Sequence, residues 1–136
     1  MYEYFEHTAD VGLRLRAPDL DGLFVDAARG LFALMVENLE TVQPRRRVSF
    51  RLRGSDHEEL LFDWIHELIV AFDTRHLLFS AFDVHVDSDG LDARAWGEPF
   101  DPERQRLGSE VKAVTYHGLK LERLENEYVG ELILDI

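Results

Sequence analysis

The sequence contains no cysteine, which excludes disulfides and thiolate-bound metal and removes the most reactive of the protein nucleophiles. The redox compartment is left open by this, with the cytosol as the default expectation. Lysine is almost missing: of 15 basic residues only Lys112 and Lys120 are lysines. Acidic residues outnumber basic ones 27 to 15, and a net charge of −12 repels phosphate backbones, so strong direct nucleic-acid binding is not expected. No apolar run approaches the roughly 18–20 residues of a membrane-spanning helix. The first residues lack the basic-then-apolar pattern of a secretory leader, so a soluble, unprocessed chain with no membrane association is expected. The phosphate-cradling loops G-x-x-x-x-G-K-[ST] and G-x-G-x-x-G are absent, as is the G-x-S-x-G elbow of serine hydrolases. Nucleotide binding through such loops and nucleophilic catalysis are both disfavoured.

What is present suffices for a core. With 136 residues, 46% hydrophobic, 11% aromatic and 31% charged, the chain matches one ordinary domain spanning 1–136. Val11, Leu13, Leu15 and Ala17 alternate with Gly12, Arg14 and Arg16, the period of a strand with one buried face. Pro18-Asp19 then supplies a stop and an N-cap, and Leu20, Leu23, Phe24, Ala27, Leu31, Leu34 and Met35 recur at helical spacing over 20–37. After an arginine-rich loop, Val48, Phe50 and Leu52 alternate as a strand. Ser55 and Glu58 have the S-x-x-E form of a capping box before a second helix that runs to about Asp73. Phe82, Val84 and Val86, the turn Asp89-Gly90, and Leu91, Ala93 and Ala95 predict a hairpin. Two more strands are predicted over 111–122 and 127–134. The pattern predicts an α+β fold: a single-domain two-layer sandwich, a mostly antiparallel sheet with two helices packed on one face.

One polar stretch interrupts the strand pattern, Glu6-His7-Thr8-Ala9-Asp10. Asp10, Asp135 and the main-chain or terminal oxygens of Ile136 make an all-oxygen donor set suited to a hard cation such as Ca²⁺ or Mg²⁺. The other reading is that Asp10 closes an Asx turn and Asp135 is a solvated end residue, and spacing alone favours it. His117 together with His7 would shift such a site towards Zn²⁺, against the commoner role of a hydrogen-bonded structural histidine. Lys112 would hold an acid or steady a phosphate, or else is a surface lysine. His57, His66, His76 and His85 fall on predicted surfaces. Arg45-Arg46-Arg47 reads as a solvated loop or a contact for an acidic partner, and Glu98 and Asp101 as solvated acids.

Taken together, the stretches Glu6-His7-Thr8-Ala9-Asp10-Val11-Gly12, Leu61-Phe62-Asp63-Trp64, Gly97-Glu98-Pro99-Phe100-Asp101, Glu110-Val111-Lys112-Ala113-Val114-Thr115-Tyr116-His117-Gly118-Leu119 and Leu134-Asp135-Ile136 resemble the archease family, in order and across the whole chain. The resemblance implies a protein without a reaction of its own. It implies an activator of the RtcB-type RNA ligase that joins tRNA halves, one that promotes the ligase's guanylylation from GTP to a histidine-GMP intermediate and its return to that state between turnovers. It also implies a divalent cation, Ca²⁺ first with Mg²⁺ and Mn²⁺ as alternatives, held by Asp10, Asp135 and Ile136. Lys112 matches a functionally implicated lysine, while His7 and His117 belong to the shared motifs without an assigned role. One departure is Gln105, where the family commonly has histidine.

Two rival functions follow from the residues. One is a stand-alone metal-dependent hydrolase or phosphotransferase, with Asp10 and Asp135 around the ion and His117 as general base. The other is a chaperone-like module for RNA-modifying proteins, with the acidic surface as its interaction face.

Overall fold

Strands form where apolar and polar residues alternate, and helices where the apolar period lengthens to three and four. The structure, a computed structural model, describes residues 1–7 and 10–136, apart from the side chain of His7. Its elements are β1 (Tyr2–His7), β2 (Asp10–Ala17), α1 (Leu20–Met35), β3 (Arg46–Arg53), α2 (His57–Arg75), β4 (Leu77–Val86), β5 (Gly90–Pro99), β6 (Ala113–Arg123) and β7 (Tyr128–Asp135). The α+β class, the two helices and the antiparallel pairing are as expected. Among the described residues the strands divide between two sheets, ordered β1-β2-β7-β6 and β3-β5-β4.

Both helices touch both sheets. α1 packs against β1, β2 and β7 on one side and β4 on the other, and α2 against β6 on one side and β3, β4 and β5 on the other. This is why α1 buries Leu23, Phe24, Ala27, Ala28, Leu31 and Phe32 around more than one stripe, since a helix flanked on two sides needs apolar residues on both. Trp64 of α2 is fully buried, and its indole N–H donates to the Phe24 carbonyl at 3.0 Å. On β1 the Tyr4 hydroxyl donates to the Gly30 carbonyl at 2.8 Å. Burial, reinforced by the neighbouring Tyr2, pushes that phenol up to about 12.

Asp19 caps α1 by accepting from Gly22 N at 2.7 Å, as expected. The capping box expected at Ser55 and Glu58 is not formed. Asp56 is the N-cap and accepts from Glu58 N at 3.0 Å and Glu59 N at 3.3 Å, a carboxylate being favoured there by the helix dipole as well as by its acceptor geometry. Glu58 is thereby released to accept from Leu121 N at 3.1 Å, which ties α2 to β6. Asp89 and Gly90 make the expected hairpin turn, with Asp87 N donating to Gly90 O at 3.0 Å.

Candidate functional site

The four-stranded sheet has its helices on one face, and the other face carries the polar parity of its strands. On β2 the residues Leu13, Leu15 and Ala17 are buried towards the helices, so Asp10, Gly12, Arg14 and Arg16 project the opposite way. Pairing of β2 with β7 sets Asp10 directly opposite Asp135, and Arg14 opposite Glu131. Side chains of directly opposed residues share a face, with Cβ atoms about 4.5–5.5 Å apart. Asp135 in turn faces Ala113 of β6, and Asp10 faces His7 of β1. One row of the sheet therefore reads His7, Asp10, Asp135, Ala113, contributed by all four strands.

The row is held by its neighbours. Arg14 is clamped between Glu3 (3.0 Å) and Glu131 (2.9 Å) across three strands, and its guanidinium lies 4.7 Å from the centre of the Phe5 ring. Those hydrogen bonds and charges raise the arginine further above its ordinary range. Gly12 is the residue between these two layers, and a Cβ there would overlap the Phe5 ring. The glycine of the motif at Asp10-Val11-Gly12 thus leaves room for the Phe5 ring over the backbone of β2.

Asp10 and Asp135 are both half-buried, and Ile136, the residue after β7, is 37% exposed. Lys112 joins through its backbone: its N–H donates to the Asp135 carbonyl at 2.7 Å, while its side chain is exposed. His117 is also exposed, and it falls in the irregular stretch between Thr115 and Lys120 where β6 loses register with β7. The side chain of His7, like Thr8 and Ala9, lies outside the described residues.

Among the described residues no group of three or more His, Asp or Glu side chains is placed to hold a metal ion. What the row offers is a facing pair of hard oxygen donors with main-chain oxygens of Ile136 next in the chain. The Thr115 hydroxyl, two residues along β6 from Ala113, is buried with no hydrogen-bond partner. Among the described residues this donor chemistry fits an oxygen-seeking cation whose shell is completed by water.

A second polar cluster was not expected. Glu98, expected to be a solvated acid, is only 5% exposed. Its carboxylate accepts from Gln43 N at 2.8 Å and from Gln105 Nε2 at 3.3 Å, and pairs with Arg104 and, at 3.9 Å, with Arg45. Gln105 is 2% exposed and also accepts from Asp101 N at 2.7 Å. Asn38 clasps the same loop, donating to Arg104 O and accepting from Arg106 N, both at 2.9 Å. The amide of Gln105 therefore performs, as both donor and acceptor, a structural task in the three-stranded sheet's border. Arg45 is part of this cluster, whereas Arg46 and Arg47 are exposed. The sequence signal that was available was Gly97-Glu98-Pro99-Phe100-Asp101 itself.

The Glu98 cluster makes a pH prediction. Burial pushes its carboxyl up, but the Gln43 N–H, the Arg104 hydrogen bond and the charges of Arg104 and Arg45 together outweigh burial and leave it below its ordinary range. A carboxyl depressed on folding adds stability that is full above its unfolded pKa and is lost as pH falls through the folded value. The melting temperature should therefore hold from neutral pH to about pH 5 and fall below about pH 4. Glu98→Gln should flatten part of that acid limb. It should also cost roughly 1.5–3 kcal/mol at pH 7, nearer the lower figure because Arg104 is partly solvated.

Comparison with known proteins gives a consistent result. A model of the Archease protein family (MTH1598/TM1083) matches residues 2–136. The protein archease of Sulfurisphaera tokodaii is 39% identical over 99% of this chain and 98% of its own length. That of Methanopyrus kandleri is 40% identical over 99% of both. The solution structure of Methanobacterium thermoautotrophicum protein 1598 is 33% identical and superposes with a TM-score of 0.86 over 99% of this chain and 98% of that one. An archease crystal structure from Thermotoga maritima, described as a possible chaperone, shares the fold at 19% identity, with a TM-score of 0.71 over 100% of this chain and 98% of that one. With a family model spanning residues 2–136 and relatives near 40% identity over nearly their whole length, this chain belongs to the archease family.

Proposed function

We propose that this chain is a non-catalytic protein cofactor of an RtcB-type tRNA-splicing RNA ligase. It promotes formation of the ligase's histidine-GMP intermediate from GTP, and works in the cytosol with a divalent cation, Ca²⁺ before Mg²⁺ or Mn²⁺. The observation that carries this reading is the register of β2 and β7, which sets Asp10 and Asp135 face to face in a chain of the archease family.

Two carboxylates directly opposite one another repel, and a cation between them converts that repulsion into attraction. Asp10 and Asp135 are its carboxylate ligands, and Ile136 contributes main-chain oxygen. Lys112 N–H fixes the Asp135 carbonyl, so the peptide plane that carries Ile136 is held against β6. A bound cation would supply charge neutralisation and a template for phosphate oxygens. The acidic surface, with a formal charge of −12, suits docking on a protein that itself handles RNA, and spares this chain from competing for the RNA.

The test is a guanylylation assay with purified ligase, GTP and substoichiometric amounts of this chain. Stimulated formation of labelled ligase over several turnovers is expected. A chain that leaves the ligase's rate unchanged, or that hydrolyses nucleotides or phosphoesters alone, overturns the reading. Recovery of several unrelated RNA-modifying proteins without any ligase would favour the chaperone-like alternative.

A further inference from the structure

Two stretches singled out in the sequence, Leu61-Phe62-Asp63-Trp64 and Thr115-Tyr116-His117-Gly118, meet at a place that the cation reading does not use. Tyr116 of β6 is 59% exposed, yet its ring lies flat on Phe62 of α2, with centroids 3.8 Å apart and planes 6° from parallel. His66, one turn further along α2, sets its ring 10° from parallel to Phe62 at 6.3 Å. Glu59, Phe62, Asp63 and His66 share one stripe of the helix by their spacing. Loss of water around its hydroxyl, and then the charges of Glu59 and Asp63, raise the Tyr116 phenol above its ordinary range. On that stripe Glu59 and Asp63 flank Phe62, the residue on which the Tyr116 ring is stacked.

The local charge is one-sided. α2 carries Glu58, Glu59, Asp63, Glu67 and Asp73 against Arg75 alone. The carboxylates of Glu59 and Asp63 make no ion pair with a described cation. Solitary exposed aromatics are ordinary on protein surfaces. A tyrosine stacked on a phenylalanine yet 59% exposed, with two carboxylates on the same helix stripe that make no ion pair to a described cation, is a more particular arrangement.

That arrangement matches the chemistry of one side chain. A guanidinium is planar, weakly hydrated and always charged, so it stacks on an aromatic face while its N–H fork reaches neighbouring carboxylates. Lysine gains the charge but not the stacking. Phosphate is repelled by the same carboxylates, which argues against RNA as the occupant. We propose that Tyr116, Glu59 and Asp63 form a docking site for an arginine side chain on a basic surface of a partner protein.

The site shares no residue with the aspartate row and lies on the helix side of the sheet, whereas the row is on the other face. Ala113 faces Asp135, and Tyr116 follows three residues, about 10 Å, further along the same strand. β6 is an edge strand of its sheet among the described residues, so the ring is reached from the open edge of the sheet.

The test uses the full chain and a defined probe, a dodecapeptide of alternating arginine and glycine, followed by side-chain NMR and compared with its lysine counterpart. Saturable shifts at Tyr116 and Asp63 are expected, with the arginine peptide bound about 2- to 5-fold more tightly than the lysine one. Tyr116→Ala should abolish that preference, Tyr116→Phe should keep it, and Glu59→Gln with Asp63→Asn should weaken both peptides. Thermal melts of each variant check that the fold is intact. Equal binding of the two peptides, or shifts that leave Tyr116 unmoved, overturns the proposal. A single-stranded oligouridylate that shifts Tyr116 more than the arginine peptide does also overturns it, and assigns the ring to RNA. Because no ligase is present in this titration, its outcome is separate from that of the guanylylation assay.

Discussion

Asp135→Ala is expected to weaken Ca²⁺ binding by more than about 100-fold in a calorimetric titration, since loss of even an outer-shell partner of a metal typically costs about 10- to 100-fold. It should also return ligase guanylylation to the rate seen without this chain. Asp10→Ala should do the same, because each removes one of two facing carboxylates. The variants should nevertheless fold. Thermal melts in chelator check that each variant keeps its fold. Addition of Ca²⁺ should then raise the melting temperature of the parent chain but not of the variants, as mass action requires for a ligand that binds only the folded state. Full stimulation by folded Asp10→Ala and Asp135→Ala variants would remove the cation from the proposal while leaving the ligase reading to be tested by itself.

Trp64→Ala should be the most damaging single change to the fold, costing about 3–5 kcal/mol in denaturant unfolding. Trp64 is fully buried in α2, packs edge-on against Phe50 at 5.3 Å and Phe82 at 6.4 Å from the three-stranded sheet, and donates to the Phe24 carbonyl of α1. No neighbouring side chain can fill the space, because the contacts come from separate elements whose positions are set by their own sheets. Against a total stability of about 5–15 kcal/mol for a domain of ordinary size, this loss should move the denaturation midpoint down by a third or more. Trp64→Phe should recover much of the packing and lack only the indole hydrogen bond.

Much of the secondary structure was legible because local pattern and tertiary role agreed. β2 alternates in the sequence and buries Leu13, Leu15 and Ala17 in the structure. The Asp89-Gly90 turn needs a glycine: Gly90 has φ 154°, and a Cβ there would run into the Leu52 carbonyl. Less legible was the division of the strands. Alternation reports that one face of a strand is buried but carries no record of which strand lies beside it, so the separation of β3-β5-β4 from β1-β2-β7-β6 had no signature to read. Glu98 escaped for a related reason, since the cations that make its burial tolerable, Arg104 and Arg45, are brought to it by loops.

The aspartate pair shows the same boundary at the level of function. By composition alone the chain was set apart from disulfide scaffolds, thiolate metal centres and basic nucleic-acid binders, and its motifs pointed to a family. Spacing alone made Asp10 a turn residue as readily as a ligand. Pairing of β2 with β7 joins segments from opposite ends of the sequence. Such contacts depend on the loop closures, hydrophobic packing and hydrogen-bond ladders of the whole chain acting together. The residue types that suit a hard cation were therefore determined by the sequence, while their meeting on one face of one sheet was decided by the tertiary structure.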